Sequence, residues 1–302
     1  MEKEIAIEKQ PSALVQKLRD YAALTKFRLS MTVGISAGLG YLFRADLTMI
    51  NWPLFGLFVL AGLMVTCASN ILNEIIEKDS DKLMERTMNR PLPMGTMTVA
   101  EAMVSAGIMG VLGVLILAFK FNLTAGVLAA VSLLSYAFIY TPLKKVSSIA
   151  VFVGAIPGAL PPMIGYVCAS GRGEIDYFVA GTLFAIQFLW QFPHFWSIAW
   201  IRFDDYLKAG IMMLPSASGK TRLTAIHSVI YCAGLLTVSM IPYFMGAIGM
   251  VSAGVIAAMG VVFLWLSAEH YQKCTDASAK KVMFASFLYL PVVQLALVLG
   301  KF

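Results

Sequence analysis

Apolar residues fall in long runs, each close to the ~20 residues that an α-helix needs to cross the hydrocarbon core of a bilayer. Nine such runs are legible, at roughly 28–44, 53–73, 98–119, 122–140, 147–169, 178–200, 223–244, 246–268 and 282–300. They lack the shorter segments of period-two alternation that a membrane β-barrel requires. The pattern therefore predicts an all-α membrane protein of nine transmembrane helices. The whole chain, 1–302, reads as a single domain, with 1–24 as an N-terminal segment outside the membrane. The first run is glycine-rich (Gly34, Gly38, Gly40). Small residues at such spacing point to close helix packing, and Gly34 and Gly38 are expected to serve that purpose.

Composition agrees. The chain is 59% hydrophobic and 13% charged, against about 45–50% and about 25% in soluble domains. A water-soluble domain, a disordered chain and a disulfide scaffold are excluded. Cys67, Cys168, Cys232 and Cys274 are far apart and form no C-x-x-C, so they read as ordinary thiols. No signal peptide is visible. Glu2, Glu4, Glu8 and Asp20 near the start argue against an acid-poor transit peptide.

The net charge of +6 matters less than where it lies. Nineteen of the 23 Lys and Arg fall in one set of segments: the N-terminus, 74–97, 141–146, 201–222 and 269–281. Arg44, Lys120, Arg172 and Lys301 make up the opposite set. Positive charge stays in the cytoplasm, so the N-terminus is expected inside and the C-terminus outside.

Span interiors are nearly free of charge, with only Glu101 falling inside one. Coupled transporters bury ionisable residues near the midplane. Here the acids crowd one membrane face, which favours chemistry at that face. Two segments stand out, Asn73–Pro91 and His194–Gly210, which follow the second and sixth runs. Asn73, Glu77 and Asp81 recur every four residues, so a helix continuing past the membrane would carry all three on one face. Stacked carboxylates repel, and Mg²⁺, which takes oxygen ligands and bridges carboxylates to substrate phosphates, would relieve that. Lys78, Arg86 and Arg90 could take the remaining phosphate charge. The same spacing also fits a solvated, salt-paired loop. Asp204 and Asp205, being adjacent, diverge by about 100° on a helix; one could bind metal while the other orients water or ligand.

His194 lies in Gln191-Phe-Pro-His-Phe-Trp196 inside a run, where an imidazole is costly without a partner. It is a functional candidate ahead of His227 and His270, although a packing role stays open. Pro193 is expected to kink its helix. Lys144 and Lys145, after Tyr140-Thr-Pro-Leu, could meet lipid headgroups or hold a diphosphate. The proline-rich stretch Gly154–Pro162 reads as a bent wall beside a pocket, since freed backbone groups are tolerated only where protein or a cavity covers them.

With these residues together, the chain resembles the UbiA superfamily of intramembrane prenyltransferases over nearly its whole length, from Leu24-Thr-Lys-Phe-Arg28 to the ninth run. The superfamily's N-x-x-x-D-x-x-x-D resembles Asn73, Glu77 and Asp81, with Glu where Asp is usual. The stretches Met84-Glu-Arg-Thr-Met-Asn-Arg-Pro91, Pro193-His-Phe-Trp196 and Asp204-Asp-Tyr-Leu-Lys-Ala-Gly210 are similar to its haem-modifying branch. The strict second D-x-x-x-D is absent.

The resemblance implies a UbiA-type bundle with a cytoplasm-facing active-site cavity in a bacterial inner (plasma) membrane. It implies transfer of farnesyl from farnesyl diphosphate to a vinyl group of haem B, with water supplying a hydroxyl, to give haem O. Mg²⁺ would be held by Asn73, Glu77, Asp81, Asp204 and Asp205, which form the catalytic set. The diphosphate would be held by Lys26, Arg28, Lys78, Arg86, Arg90, Lys144 and Lys208, and haem by His194. Membrane lipid and a haem A synthase or terminal oxidase assembly are the implied partners; nucleic acid is not. Another aromatic acceptor, such as a quinone precursor or a chlorophyll intermediate, remains the nearest alternative. A passive flippase of porphyrin or polyprenyl lipid and a non-catalytic oxidase assembly factor stand behind it.

Overall fold

A computed structural model describes residues 12–171, 173–216 and 219–301. Glu2, Lys3, Glu4, Glu8, Lys9 and Arg172, which enter the charge reading above, lie outside the described residues. The chain is all-α among those residues. Eleven helices carry the description: α1 (Ala13–Leu24), α2 (Phe27–Arg44), α3 (Trp52–Asp81), α4 (Val99–Ile116), α5 (Leu123–Leu134), α6 (Ala150–Ala169), α7 (Tyr177–Ile201), α8 (Phe203–Lys208), α9 (Arg222–Ser239), α10 (Met250–Lys273) and α11 (Asp276–Leu299). Helices α4 and α5 run on through π-helical turns at Leu117–Phe121 and Ser135–Tyr140.

Among the described residues, seven helices are long and apolar enough to cross a membrane: α3, α4 and α5 with their continuations, α6, α9 with the turn after it, α10 and α11. The chain is thus a multi-pass membrane protein. Helices α2 and α7 have 18 and 25 residues and pack among the seven. Small and aromatic residues (Gly34, Gly38, Gly40; Trp190, Trp196, Trp200) dilute their hydropathy without changing their length.

Local sequence explains the ends. Asn51 caps α3 by accepting from Leu54 N (3.0 Å), and proline occupies its first turn. Thr275 and Ser278 form a reciprocal capping box at the start of α11. Helices α10 and α11 are longer than their apolar runs, so much of the predicted 269–281 loop is helical. Hydropathy marks what faces lipid; capping decides where the helix stops.

The bundle packs α3 between α4 and α2, α2 against α6 and α11, α6 against α7, and α9–α10–α11 beside α7. The tightest backbone approach is α2 on α6. A side chain at Gly40 would strike the Pro162 carbonyl, and one at Gly165 the Ala37 carbonyl. Gly40 therefore carries the close contact expected of Gly34 and Gly38. Those two meet only side chains, Leu63 and Phe55.

Helix α6 contains Pro157, Pro161 and Pro162 without interruption. Pro161 and Pro162 lack the N–H that would bond the carbonyls of Pro157 and Gly158. Neighbouring helices fill the gap: Ser132 Oγ donates to Pro157 O (3.1 Å) and Gln187 Nε2 to Gly158 O (2.9 Å). Pro162 lines a small apolar cavity with Gly40, Phe43, Leu183 and Gln294. Helix α7 likewise runs through Pro193.

Among the described residues, contacts link segments that belong to the same charge set. In one set Lys26 meets Asn73, Lys17 meets Glu101, and Lys220 meets Asp276. In the other, Lys301 Nζ donates to Leu42 O (2.6 Å), and Asn122 Nδ2 to Val167 O (2.8 Å).

Candidate active site

Helix α3 changes character along its length. Its first part buries Phe58, Ala61 and Val65, whereas from Ser69 onward it buries Ser69, Asn70, Asn73, Glu74, Glu77, Ser80 and Asp81. These polar residues repeat at helical spacing on the inward side, so the helix does continue beyond the apolar run with its oxygens on one face. The segment after it folds back over them, burying Met84, Thr87, Pro91, Leu92 and Met97. Thr87 Oγ1 donates to Asp81 O (2.8 Å), which fixes the return.

Three cations reach this face from three places. Lys26 sits in the α1–α2 turn at φ 48°, a left-handed conformation that costs a side-chain-bearing residue about 1–2 kcal/mol. Asn70 Nδ2 holds that turn by donating to Ser30 Oγ (3.0 Å) and Thr25 O (3.3 Å). Lys26 Nζ then donates to Asn73 Oδ1 (2.6 Å) and lies 4.0 Å from Glu74 Oε1. Burial, then the neighbouring Arg90 charge, lowers the Lys26 ammonium to about 8, against the pull of Glu74 and Glu77. Arg90 comes from the fold-back. Its Nη1 donates to Asp81 Oδ2 (2.7 Å), and its Nε is 3.4 Å from Glu74 Oε1. Lys144, from the segment after α5, pairs with Glu77 Oε1 at 2.5 Å and lies 4.8 Å from the Tyr140 ring centre. Asn73 Nδ2 closes the set, donating to Glu77 Oε2 (2.8 Å) and Thr141 Oγ1 (3.0 Å).

Asn73, Glu77, Asp81, Lys26, Arg90 and Lys144, all expected from the sequence, thus converge. Arg28 and Arg86 are exposed, Lys78 is half-buried, and none of the three side chains makes a hydrogen bond or ion pair among the described residues. The second acidic segment makes no side-chain hydrogen bond or ion pair with the converging groups among the described residues. Asp204 is exposed. Asp205 Oδ1 accepts from Glu85 N (3.3 Å), and Lys208 Nζ is 3.4 Å from Glu85 Oε1. That segment does touch the site's rim, because Met212 N donates to Lys144 O (3.0 Å).

His194 lies within the bundle, away from these charges. Its Nδ1 is 2.7 Å from Ser286 Oγ on α11, and its ring stacks on Trp190 (4.6 Å between centres) and meets Phe287 edge-on (5.1 Å).

Glu74 escaped the sequence reading. It is fully buried, at 0% exposure. It stands seven residues before Asp81, hence two turns away on the same side of α3, and that interval was the available signal.

Can these residues hold a metal? Both Glu74 oxygens and Asp81 Oδ1 are buried without a hydrogen-bond donor. Glu77 Oε1 has the Lys144 ammonium at 2.5 Å. Hard oxygens in this state suit Mg²⁺. The cations stand between them, however, and among the described residues no three acidic, histidine or cysteine side chains form a ready-made cage.

Known proteins place the arrangement. The UbiA prenyltransferase family matches residues 33–290. The chain belongs to the UbiA prenyltransferase family. Among UbiA relatives, it is 45% identical to the protoheme IX farnesyltransferase of Cytophaga hutchinsonii, over 95% of this chain and 99% of that one. It is 42% identical to that of Christiangramia forsetii, over 97% and 96%. Solved UbiA-type structures share the fold. A digeranylgeranylglyceryl phosphate synthase structure matches with TM-score 0.79 at 22% identity, covering 94% of this chain and 98% of that one. An Archaeoglobus fulgidus UbiA homologue bound to GPP and Mg²⁺ matches with TM-score 0.67 at 15% identity, covering 92% and 99%.

Proposed function

We propose that this protein transfers the farnesyl group of farnesyl diphosphate to a vinyl group of protohaem IX, with addition of water, to give haem O. The observation that carries the reading is the buried oxygen face of α3 meeting Lys26, Arg90 and Lys144. Full-length similarity to protoheme IX farnesyltransferases selects the acceptor.

Asn73, Glu77 and Asp81 are the residues to hold Mg²⁺; the ion supplies charge neutralisation that makes diphosphate a better leaving group. Lys26, Arg90 and Lys144 bind the diphosphate oxygens and keep the departing charge in place. Asp205 and Lys208 act on the rim through Glu85. When the C–O bond ionises, the farnesyl cation needs walls that exclude water, which the apolar bundle provides. The vinyl π-electrons form the new C–C bond, and water captures the resulting porphyrin-side cation with loss of a proton.

His194 is the proposed haem contact. With Nδ1 engaged by Ser286, Nε2 is the nitrogen free to ligate, a usual arrangement for imidazole. His194→Ala should blue-shift or broaden the Soret band of bound haem; an unchanged spectrum and unchanged haem affinity would remove this role.

The reading includes nine membrane spans, with α2 and α7 joining the seven, in a bacterial inner membrane. The site lies on the cytoplasmic side, the N-terminus inside and the C-terminus outside. Support comes from the contacts that link segments of the same charge set. Detergent-purified protein given haem B, farnesyl diphosphate and Mg²⁺ should yield a farnesylated, hydrated haem by liquid chromatography–mass spectrometry. EDTA should abolish it. Folded protein that leaves haem B unchanged would overturn the acceptor.

A further inference from the structure

The site is electrostatically closed on itself. Three carboxylates (Glu74, Glu77, Asp81) face three cations (Lys26, Arg90, Lys144), and each cation is within 4.0 Å of at least one of them. Glu77 and Asp81 belong to the spaced motif. Glu74 does not, yet it is the carboxylate that stands by both Lys26 (4.0 Å) and Arg90 (3.4 Å). Neither of its oxygens receives a directed hydrogen bond, although both are buried. Helix capping and bundle packing supply no reason to bury it, because a buried carboxylate without donors is costly. Its neighbours do supply one: without it, Lys26 and Arg90 would be buried 16% exposed with Asn73 and Asp81 as their remaining partners.

The geometry points to Glu74 as an internal counter-anion, a positioning residue that occupies the claim of Lys26 and Arg90 until the diphosphate of the substrate replaces it. Its loose contacts fit an exchange. At 3.4 and 4.0 Å the two cations are held near but not locked, so they can turn to phosphate oxygens, which Arg grips bidentately. With a carboxylate beside each of the three cations, a free diphosphate has to displace a carboxylate to reach them. A metal–diphosphate pair can exchange with both halves of the network together: the cations go to phosphate and the carboxylates to metal. This inference rests on the diphosphate-binding reading above and adds to it a residue outside the motif.

The test is binding of inorganic pyrophosphate to detergent-purified protein in EDTA, followed by calorimetry, beside the same titration in Mg²⁺. Glu74→Gln keeps the shape and removes the competing charge. It should bind metal-free pyrophosphate about tenfold more tightly than wild type, as expected when one close like charge is removed. Glu74→Asp keeps the charge and should remain weak like wild type. The thermal midpoint supplies a second readout: Glu74→Gln should lose stability without ligand and regain more of it than wild type when pyrophosphate is added. Equal or weaker metal-free binding by a folded Glu74→Gln overturns the inference. If Glu74→Gln does not fold, tight metal-free binding by wild type or by Glu74→Asp overturns it instead, and weak binding by both supports it. Failure of wild type to bind pyrophosphate even with Mg²⁺ would instead overturn the diphosphate reading itself.

Discussion

Two buried polar networks occupy the same bundle on opposite terms. The first lies inside the bundle and is neutral. Ser36 Oγ donates to Gln187 Oε1 (2.8 Å), Gln294 Nε2 donates to Ser36 Oγ (2.7 Å), and Gln187 Nε2 donates to the proline-freed carbonyl of Gly158 (2.9 Å). Each of the three side chains donates, and together they tie α2, α6, α7 and α11. The second lies at the helix ends and is charged: Lys26, Asn73, Glu74, Glu77, Asp81, Arg90 and Lys144. There, both Glu74 oxygens and Asp81 Oδ1 lack donors. Satisfied buried polar networks hold a structure together, and unsatisfied ones need an explanation. Every side chain of the first network is engaged as a donor, whereas the second keeps carboxylate oxygens beside cations with no donor bonded to them. The difference separates a part that holds helices from the part proposed to bind the diphosphate.

That division can be broken experimentally. The largest effect belongs to Asp81→Asn. It should lower turnover by about 10²–10³-fold, the scale for losing one preorganised electrostatic contact, while membrane insertion persists. Near-normal haem O production by this variant would show that the charged network is structural after all. Gln187→Leu attacks the neutral network and should do the reverse. Leaving Gly158 O without its donor and Ser36 Oγ without its acceptor should cost about 1–3 kcal/mol, read as a lower thermal midpoint, with turnover within a few-fold of wild type. Loss of activity in folded Gln187→Leu would merge the two networks into one. The smallest effect is expected from Glu101→Gln. Lys17 and Tyr21 both bond Glu101 at 2.8 Å and dock α1 on α4. Its loss should increase protease cleavage within 13–24 and leave turnover unchanged.

The apolar runs located the membrane-length helices but not their ends, since α3, α10 and α11 extend five to eight residues beyond their runs; burial in lipid is imposed residue by residue, whereas capping sets the ends. The four-residue spacing of Asn73, Glu77 and Asp81 likewise held, since α3 carries its 3.6-residue period past the last apolar turn. Glycine roles were less legible. Gly34, Gly38 and Gly40 look alike in sequence, but only the register of α2 on α6 puts Gly40 against the Pro162 carbonyl. The seven candidate cations could not be ranked either. Arg86 and Arg90 are four residues apart in one loop, yet the fold-back exposes one and inserts the other between Glu74 and Asp81.

What the sequence determined by itself is what periodicity and hydropathy encode: an all-helical membrane chain, an uneven division of Lys and Arg between its two sets of connecting segments, and an oxygen ladder on one helix. Only the tertiary structure decided which charges meet. Lys26, Glu74, Arg90 and Lys144 come from four segments whose approach depends on a left-handed turn, a folded-back loop and a helix pair seated on glycine. Local periodicity acts over a turn or two of helix, while an ion pair acts across whatever distance the fold has closed. For that reason the role of Glu74, the residue after Asn73, became visible only when its two cations were in place.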